Sequence, residues 1–304
     1  MYTEPAEKLA GFVYIYGMKK CLFLLFSVII ILGCKKKTID FGENISFNIE
    51  KDISYGNDSE QKLDLYIPKN KDSIKGIFVL IHGGGWKAGD KTNLTSFALS
   101  MMEKFPNYAF ANINYRLATN NSFILPSQTD DIDSALDLLV KKFAEMNFNP
   151  QFILLGNSAG GHLSMLYGYN WFFDFKYRTK IKAIINIVGP ADLSDPNFKN
   201  YSDYAFVEKH MIDLSKPSPI DLTNQDIPNP VYWIKETSPP TISFYGSNDK
   251  VIPLSQKKIL DSALNKNNVY NKSYEFSGGH LDWGNEKNAV ITINRISDFL
   301  KHIK

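Results

Sequence analysis

Short, nearly continuous apolar runs recur along the chain, with room for a helix between them. Ile77–Ile81, Tyr108–Asn114, Phe152–Gly156, Ala183–Val188, Thr241–Tyr245 and Ser273–Phe276 read as strands. Strands apolar on both faces and spaced by helical sequence predict a parallel sheet covered on both sides. Two earlier segments, Ile45–Ser54 and Lys62–Ile67, alternate instead. Alternation predicts strands with one wet face, so these form an antiparallel edge. Ser127–Phe143 carries Ile132, Ala135, Leu136 and Leu139 on one side, which is the spacing of an amphipathic helix. Leu254–Leu264 and Glu286–His302 read the same way. The fold class is therefore α/β, a mostly parallel central sheet with helices on both faces, in one domain over residues 45–304.

The rhythm breaks between Asp195 and Pro240. Seven prolines fall there, with Tyr201, Tyr204, Phe206, Tyr232 and Trp233 among them. A structureless loop of that length is uncommon inside a compact domain unless it has a task. Residues 195–240 are expected to form a cap or rim whose aromatics line a substrate cleft, or a surface excursion packed by its own rings.

The chemistry-bearing residues sit directly behind the strands. Phe152–Leu155 runs into Gly156-Asn157-Ser158-Ala159-Gly160, with helix-forming sequence after it. A serine at such a turn projects its hydroxyl above the sheet edge, and the flanking glycines permit the close approach the turn needs. A hydroxyl is a weak nucleophile without a base, so a histidine and a carboxylate must be supplied from elsewhere. Asp249 follows the strand Thr241–Tyr245, and His280 follows Ser273–Phe276. Asp192 and Asp282 are rival carboxylates: Asp192 suits a loop-fixing role, and Asp282 lies too near His280 in sequence to reach behind its ring. Upstream, Ile77–Ile81 ends in His82-Gly83-Gly84-Gly85-Trp86. That glycine run can turn N–H groups toward a developing oxyanion, alongside the N–H of Ala159. His82 is expected to hold the loop in shape. Trp86 and Tyr115 either wall the cleft or pack in the core.

From about Asp40 onward the chain resembles the α/β-hydrolase superfamily, in the esterase/lipase branch with an HGGG(W) motif that includes carboxylesterases and acetylxylan or feruloyl esterase-like enzymes. The order Ser158, Asp249, His280 fits that superfamily. So do Asn114-Tyr115-Arg116-Leu117, Pro126-Ser127-Gln128 and Gly189-Pro190-Ala191-Asp192-Leu193. The resemblance implies a Ser158–Asp249–His280 triad, with Gly84, Gly85 and Ala159 as the oxyanion hole, no cofactor and no metal. It implies hydrolysis of small acyl esters, including acetyl or feruloyl esters of glycans. A peptidase or amidase of the same fold, or a non-catalytic binding lipoprotein, remains as an alternative.

The N-terminus carries a separate message. Lys19-Lys20 precede the apolar run Cys21–Leu32, followed by Gly33-Cys34 and Lys35–Lys37. A basic start, an apolar core too short to span a bilayer and a small residue before cysteine read as a secretory signal. Ile31-Leu32-Gly33-Cys34 resembles a bacterial lipobox, in which Cys34 becomes lipidated. The expected order is an upstream mis-start over 1–17, a signal over 18–33 and a lipidated tether over 34–44, placing the domain at the cell envelope with its membrane contact through the anchor. The two cysteines of the chain, Cys21 and Cys34, both lie in this segment, so the domain carries no disulfide. A net charge of +2 points away from a nucleic-acid partner.

Overall fold

The computed structural model describes residues 37–41, 45–71, 74–119, 125–170, 175–198 and 227–303. The signal, Cys34 and the first part of the expected tether lie outside them, as do Tyr201, Tyr204 and Phe206 of the expected cap.

Nine strands form one sheet: β1 (Lys37–Asp40), β2 (Ser46–Ser54), β3 (Lys62–Pro68), β4 (Ile77–Ile81), β5 (Ala109–Ile113), β6 (Phe152–Asn157), β7 (Ile181–Ile187), β8 (Thr241–Gly246) and β9 (Asn271–Phe276). Their spatial order is β1-β2-β3-β5-β4-β6-β7-β8-β9. From β1 to β5 the pairs are antiparallel, and from β5 onward they are parallel. The antiparallel edge expected from alternation is present and gains a strand. Lys37–Asp40, read from sequence as tether, pairs with Ser46–Ile49. Its four residues, Lys-Thr-Ile-Asp, are too short and too polar to announce a strand, and an edge strand needs little burial.

Helices α1 (Thr95–Lys104), α2 (Ser127–Ala144), α3 (Ala159–Tyr169), α4 (Ser255–Lys266) and α5 (Glu286–His302) cover the sheet. The alternating pleat divides the core in two. Ile77, Val79 and Ile81 of β4 pack with α2, α3 and α4 on one face. Phe78 and Leu80 pack with α1 and α5 on the other. Helix α1 was not evident from periodicity. Its apolar stripe of Phe97, Ala98, Met101 and Met102 is narrow, and the 3-10 turn Lys91–Leu94 leads into it.

Helix α3 differs from the rest because every residue in it is buried. A helix enclosed on all sides must lie close to its neighbours, and small residues set how close. A Cβ on Gly160 would stand 1.9 Å from the carbonyl oxygen of Ile81, and one on Gly156 would stand 2.1 Å from that of Gly160. Both obstacles are backbone, which a rotamer change cannot relieve. Gly160→Ala is therefore expected to cost about 3 kcal/mol. That lowers the melting temperature by about 5 °C in a chain of this size. A thermal melt followed by circular dichroism checks it, and an unchanged midpoint contradicts this packing.

Candidate active site

The carboxyl ends of the parallel strands carry the chemically interesting side chains. Ser158 follows β6, Asp249 follows β8, His280 follows β9, and the glycine loop follows β4. The sheet brings together what the sequence keeps far apart. Ser158 Oγ lies 2.9 Å from His280 Nε2. His280 Nδ1 lies 2.8 Å from Asp249 Oδ2. An ionised carboxylate only accepts, so Nδ1–H donates to Asp249 and Nε2 is free to accept from the serine hydroxyl.

Each member is held by its own surroundings. Ser158 has φ +53° and ψ −123°, outside the regions that L-residues favour, at the N-terminus of α3. Its N–H donates to Ile187 O at 2.8 Å, and its carbonyl accepts from His162 N–H at 3.1 Å. Strain of this kind costs on the order of 1–3 kcal/mol and persists only where the surroundings over-determine it. The Asp249 side chain is fully buried. Its second oxygen, Oδ1, accepts from the N–H groups of Val251 and Ile252 at 2.8 and 2.9 Å. With both oxygens occupied, the carboxylate has one orientation left. The His280 loop is braced by Asp282, whose Oδ2 accepts from Gly279 N–H at 2.7 Å. The rival carboxylates thus serve loops: Asp282 here, and Asp192 through its bond from Ser194 N–H at 2.8 Å.

The glycine loop is shaped from several sides. His82 Nδ1–H donates to Gly83 O at 2.7 Å, and burial pushes the His82 pKa down. The ring stacks on Tyr115 at 4.3 Å, and the Tyr115 hydroxyl donates to His82 O at 3.0 Å. Gly83 N–H donates to Asn157 Oδ1 at 3.0 Å, so this donor is committed to holding the loop beside Ser158. Gly84 has φ +119° and Gly85 φ +57°, and no described residue accepts from either N–H. The N–H of Ala159 opens α3 and has no intrahelical acceptor. Together with the positive end of the helix dipole, these groups form a place suited to negative charge.

Trp86 and Tyr115 are core residues and not cleft walls, 2% and 0% exposed. Trp233, expected among the cap aromatics, is also fully buried, and its indole N–H donates to Ile227 O at 3.0 Å. The described end of the 195–240 segment is pinned to the domain body: Val231 N–H donates to Ala191 O, and Asn229 Oδ1 accepts from Leu193 N–H. Tyr232 alone among the described aromatics of that segment is half exposed. Sequence reasoning missed Asn157 and His162. The one signal either gave was a polar side chain in an otherwise apolar stretch beside the serine.

A family model described as BD-FAE matches residues 63–264. The isoprenylcysteine alpha-carbonyl methylesterase ICME of Arabidopsis thaliana is 24% identical over 234 residues, 72% of this chain and 53% of that protein. Esterase LipC of Mycobacterium tuberculosis is 24% identical over 217 residues, 68% of this chain and 52% of that one. The chain thus spans about half the length of these curated relatives. Esterase B from Lactobacillus rhamnosis is similar in structure, with a TM-score of 0.66 at 21% identity over 85% of this chain and 86% of that one. A truncated carbohydrate esterase from gut microbiota gives 0.63 at 18% identity over 83% and 96%. At these identities the likeness shows the fold, which is that of the α/β-hydrolases. With the matched region covering most of the sheet and the turn that holds Ser158, the chain belongs to the BD-FAE family.

Proposed function

We propose that the chain is a serine carboxylesterase acting on small acyl esters, with acetyl or feruloyl esters of glycans among its substrates. The unbroken relay from Asp249 through His280 to Ser158 carries this reading. The ester-hydrolase names of the relatives support it.

The steps follow from the geometry. Ser158 Oγ attacks the ester carbonyl carbon while its proton passes to His280 Nε2. Asp249 fixes the imidazole tautomer and stabilises the imidazolium that forms. The N–H groups of Gly84, Gly85 and Ala159 receive the oxyanion. Removal of one such donor costs about 3 kcal/mol in the reactions where it has been tested. The tetrahedral intermediate collapses as His280 returns the proton to the leaving alcohol, and an acyl-serine remains. Water, deprotonated by the same imidazole, attacks the acyl carbon and releases the acid.

In a panel of p-nitrophenyl esters from acetyl to decanoyl, together with acetylated xylan, turnover is expected on the short esters. Ser158→Ala should fold normally by circular dichroism and lose on the order of 10⁵–10⁶ in kcat. Asp249→Asn should lose about 10⁴. Undiminished hydrolysis by Ser158→Ala refutes the assignment, and faster cleavage of anilides than esters moves it to amide substrates.

We further propose that Cys34 is lipidated and tethers the domain to the cell envelope. The support is the sequence Ile31-Leu32-Gly33-Cys34 behind a basic, apolar leader. No helix among the described residues is long and apolar enough to cross a membrane. In cells expressing the chain, Cys34→Ala should shift the protein from the detergent phase to the aqueous phase of a Triton X-114 partition; unchanged partitioning points to an uncleaved anchor.

A further inference from the structure

Four residues beyond the serine, on the next turn of α3, His162 is completely buried. It takes no part in the proton relay, yet both ring nitrogens are engaged. Nδ1 accepts from the indole N–H of Trp86 at 3.2 Å. Nε2 lies 2.7 Å from the carbonyl oxygen of Pro228. An indole N–H can only donate and a carbonyl can only accept, so the ring is neutral with its proton on Nε2. Burial agrees with that, pushing the His162 pKa down to about 4.

Trp86 is the residue that follows Gly85, and it has φ +63°. For a bulky side chain this left-handed backbone costs on the order of 1–2 kcal/mol and must be held in place. Its carbonyl accepts from Ala118 N–H at 3.0 Å and from Gln128 Nε2 at 2.8 Å. These bonds hold the backbone from the side of α2 and the loop after β5. The indole is held by His162 of α3, edge to face at 5.2 Å between ring centroids. An apolar side chain at position 162 would fill the same space and supply neither bond.

We propose that His162 is a positioning residue for ester hydrolysis, locking the indole of Trp86, and with it the Gly84–Gly85 donors, to the helix that carries Ser158. The inference rests on the esterase reading above and adds to it the means by which two separate loops keep one register.

Three substitutions separate the bonds. His162→Asn sets an amide oxygen near the position of Nδ1, keeping the acceptor for Trp86 while no longer reaching Pro228. His162→Gln sets an amide nitrogen near Nε2, keeping the Pro228 bond and dropping the acceptor. Trp86→Phe keeps an aromatic ring and removes the N–H. His162→Gln and Trp86→Phe should each lower kcat on a p-nitrophenyl ester by about 30-fold with KM within about twofold, since misplaced oxyanion donors act on the transition state. His162→Asn should stay within about threefold of wild type. The Trp86→Phe/His162→Gln double variant should be no slower than the slower single one, because both remove the same bond.

Folded His162→Gln with wild-type kcat overturns the proposal, as does an Asn variant that loses as much as the Gln variant, or losses that multiply in the double variant. If the His162 variants fail to fold, Trp86→Phe decides alone, and wild-type kcat in it overturns the proposal. A wild-type chain that turns over no ester defeats the esterase reading and this inference together. An active wild type with indifferent variants defeats this inference only.

Discussion

Backbone packed against backbone, where the first turn of α3 meets the end of β4, is the constraint on which the rest of the molecule depends. With no side chain at Gly160, the Ile81 carbonyl comes within 1.9 Å of the place a Cβ would occupy. That approach puts the serine turn and the glycine loop side by side. Asn157 then spans them, accepting from Gly83 N–H. A van der Waals clash rises steeply, so the spacing is set far more sharply than apolar burial alone could set it. The parallel strands beyond supply the other partners, because β8 and β9 end on the same side as β4 and β6.

Strain collects at the same edge. Trp86, Ser158 and Val188 are non-glycine residues with φ of +63°, +53° and +46°, and they follow β4, β6 and β7, which are adjacent in the sheet. Val188 is β-branched, for which this conformation is especially unfavourable. It is held by its N–H bond to Phe244 O at 2.8 Å and by Asn186, whose Oδ1 accepts from the following Gly189. Buried sheet and helix on both faces provide the stability against which such local cost is carried. The same edge holds the Asp249 carboxylate with both oxygens satisfied, so the proposed mechanism needs little reorganisation as charge develops on His280.

Much of this was legible in the chain, and the exceptions have physical reasons. The strands from β4 to β8 announced themselves because burial on both faces demands unbroken apolar runs. In contrast β9, at the sheet edge, is polar and only partly buried and does not have the two-sided burial expected of it. The ends of all six moved by no more than two residues. Ser158 and Asp249 were legible because each stands behind such a run, and His280 because it follows the last strand-like segment in a Gly-Gly-His turn. Lys37–Asp40 was not, since an edge strand is paid little by burial and can be polar. Trp86 and Tyr115 could be placed either in a cleft or in the core from sequence, and Trp233 either in a cap or in a surface excursion packed by its own rings, because an aromatic ring suits each; tertiary packing put all three inside. His162 was illegible for the opposite reason. Its value lies in two bonds to residues 76 and 66 positions away, which no local pattern encodes.

The central claim is that Ser158 is the primed nucleophile of a preorganised site. Its most direct measurement is peptide mapping by mass spectrometry after brief treatment with a fluorophosphonate. The account requires one phosphonyl adduct, on the peptide containing Ser158, formed by the folded protein and absent once it is heat-denatured. An adduct on a different residue, or equal labelling of folded and denatured chains, contradicts it.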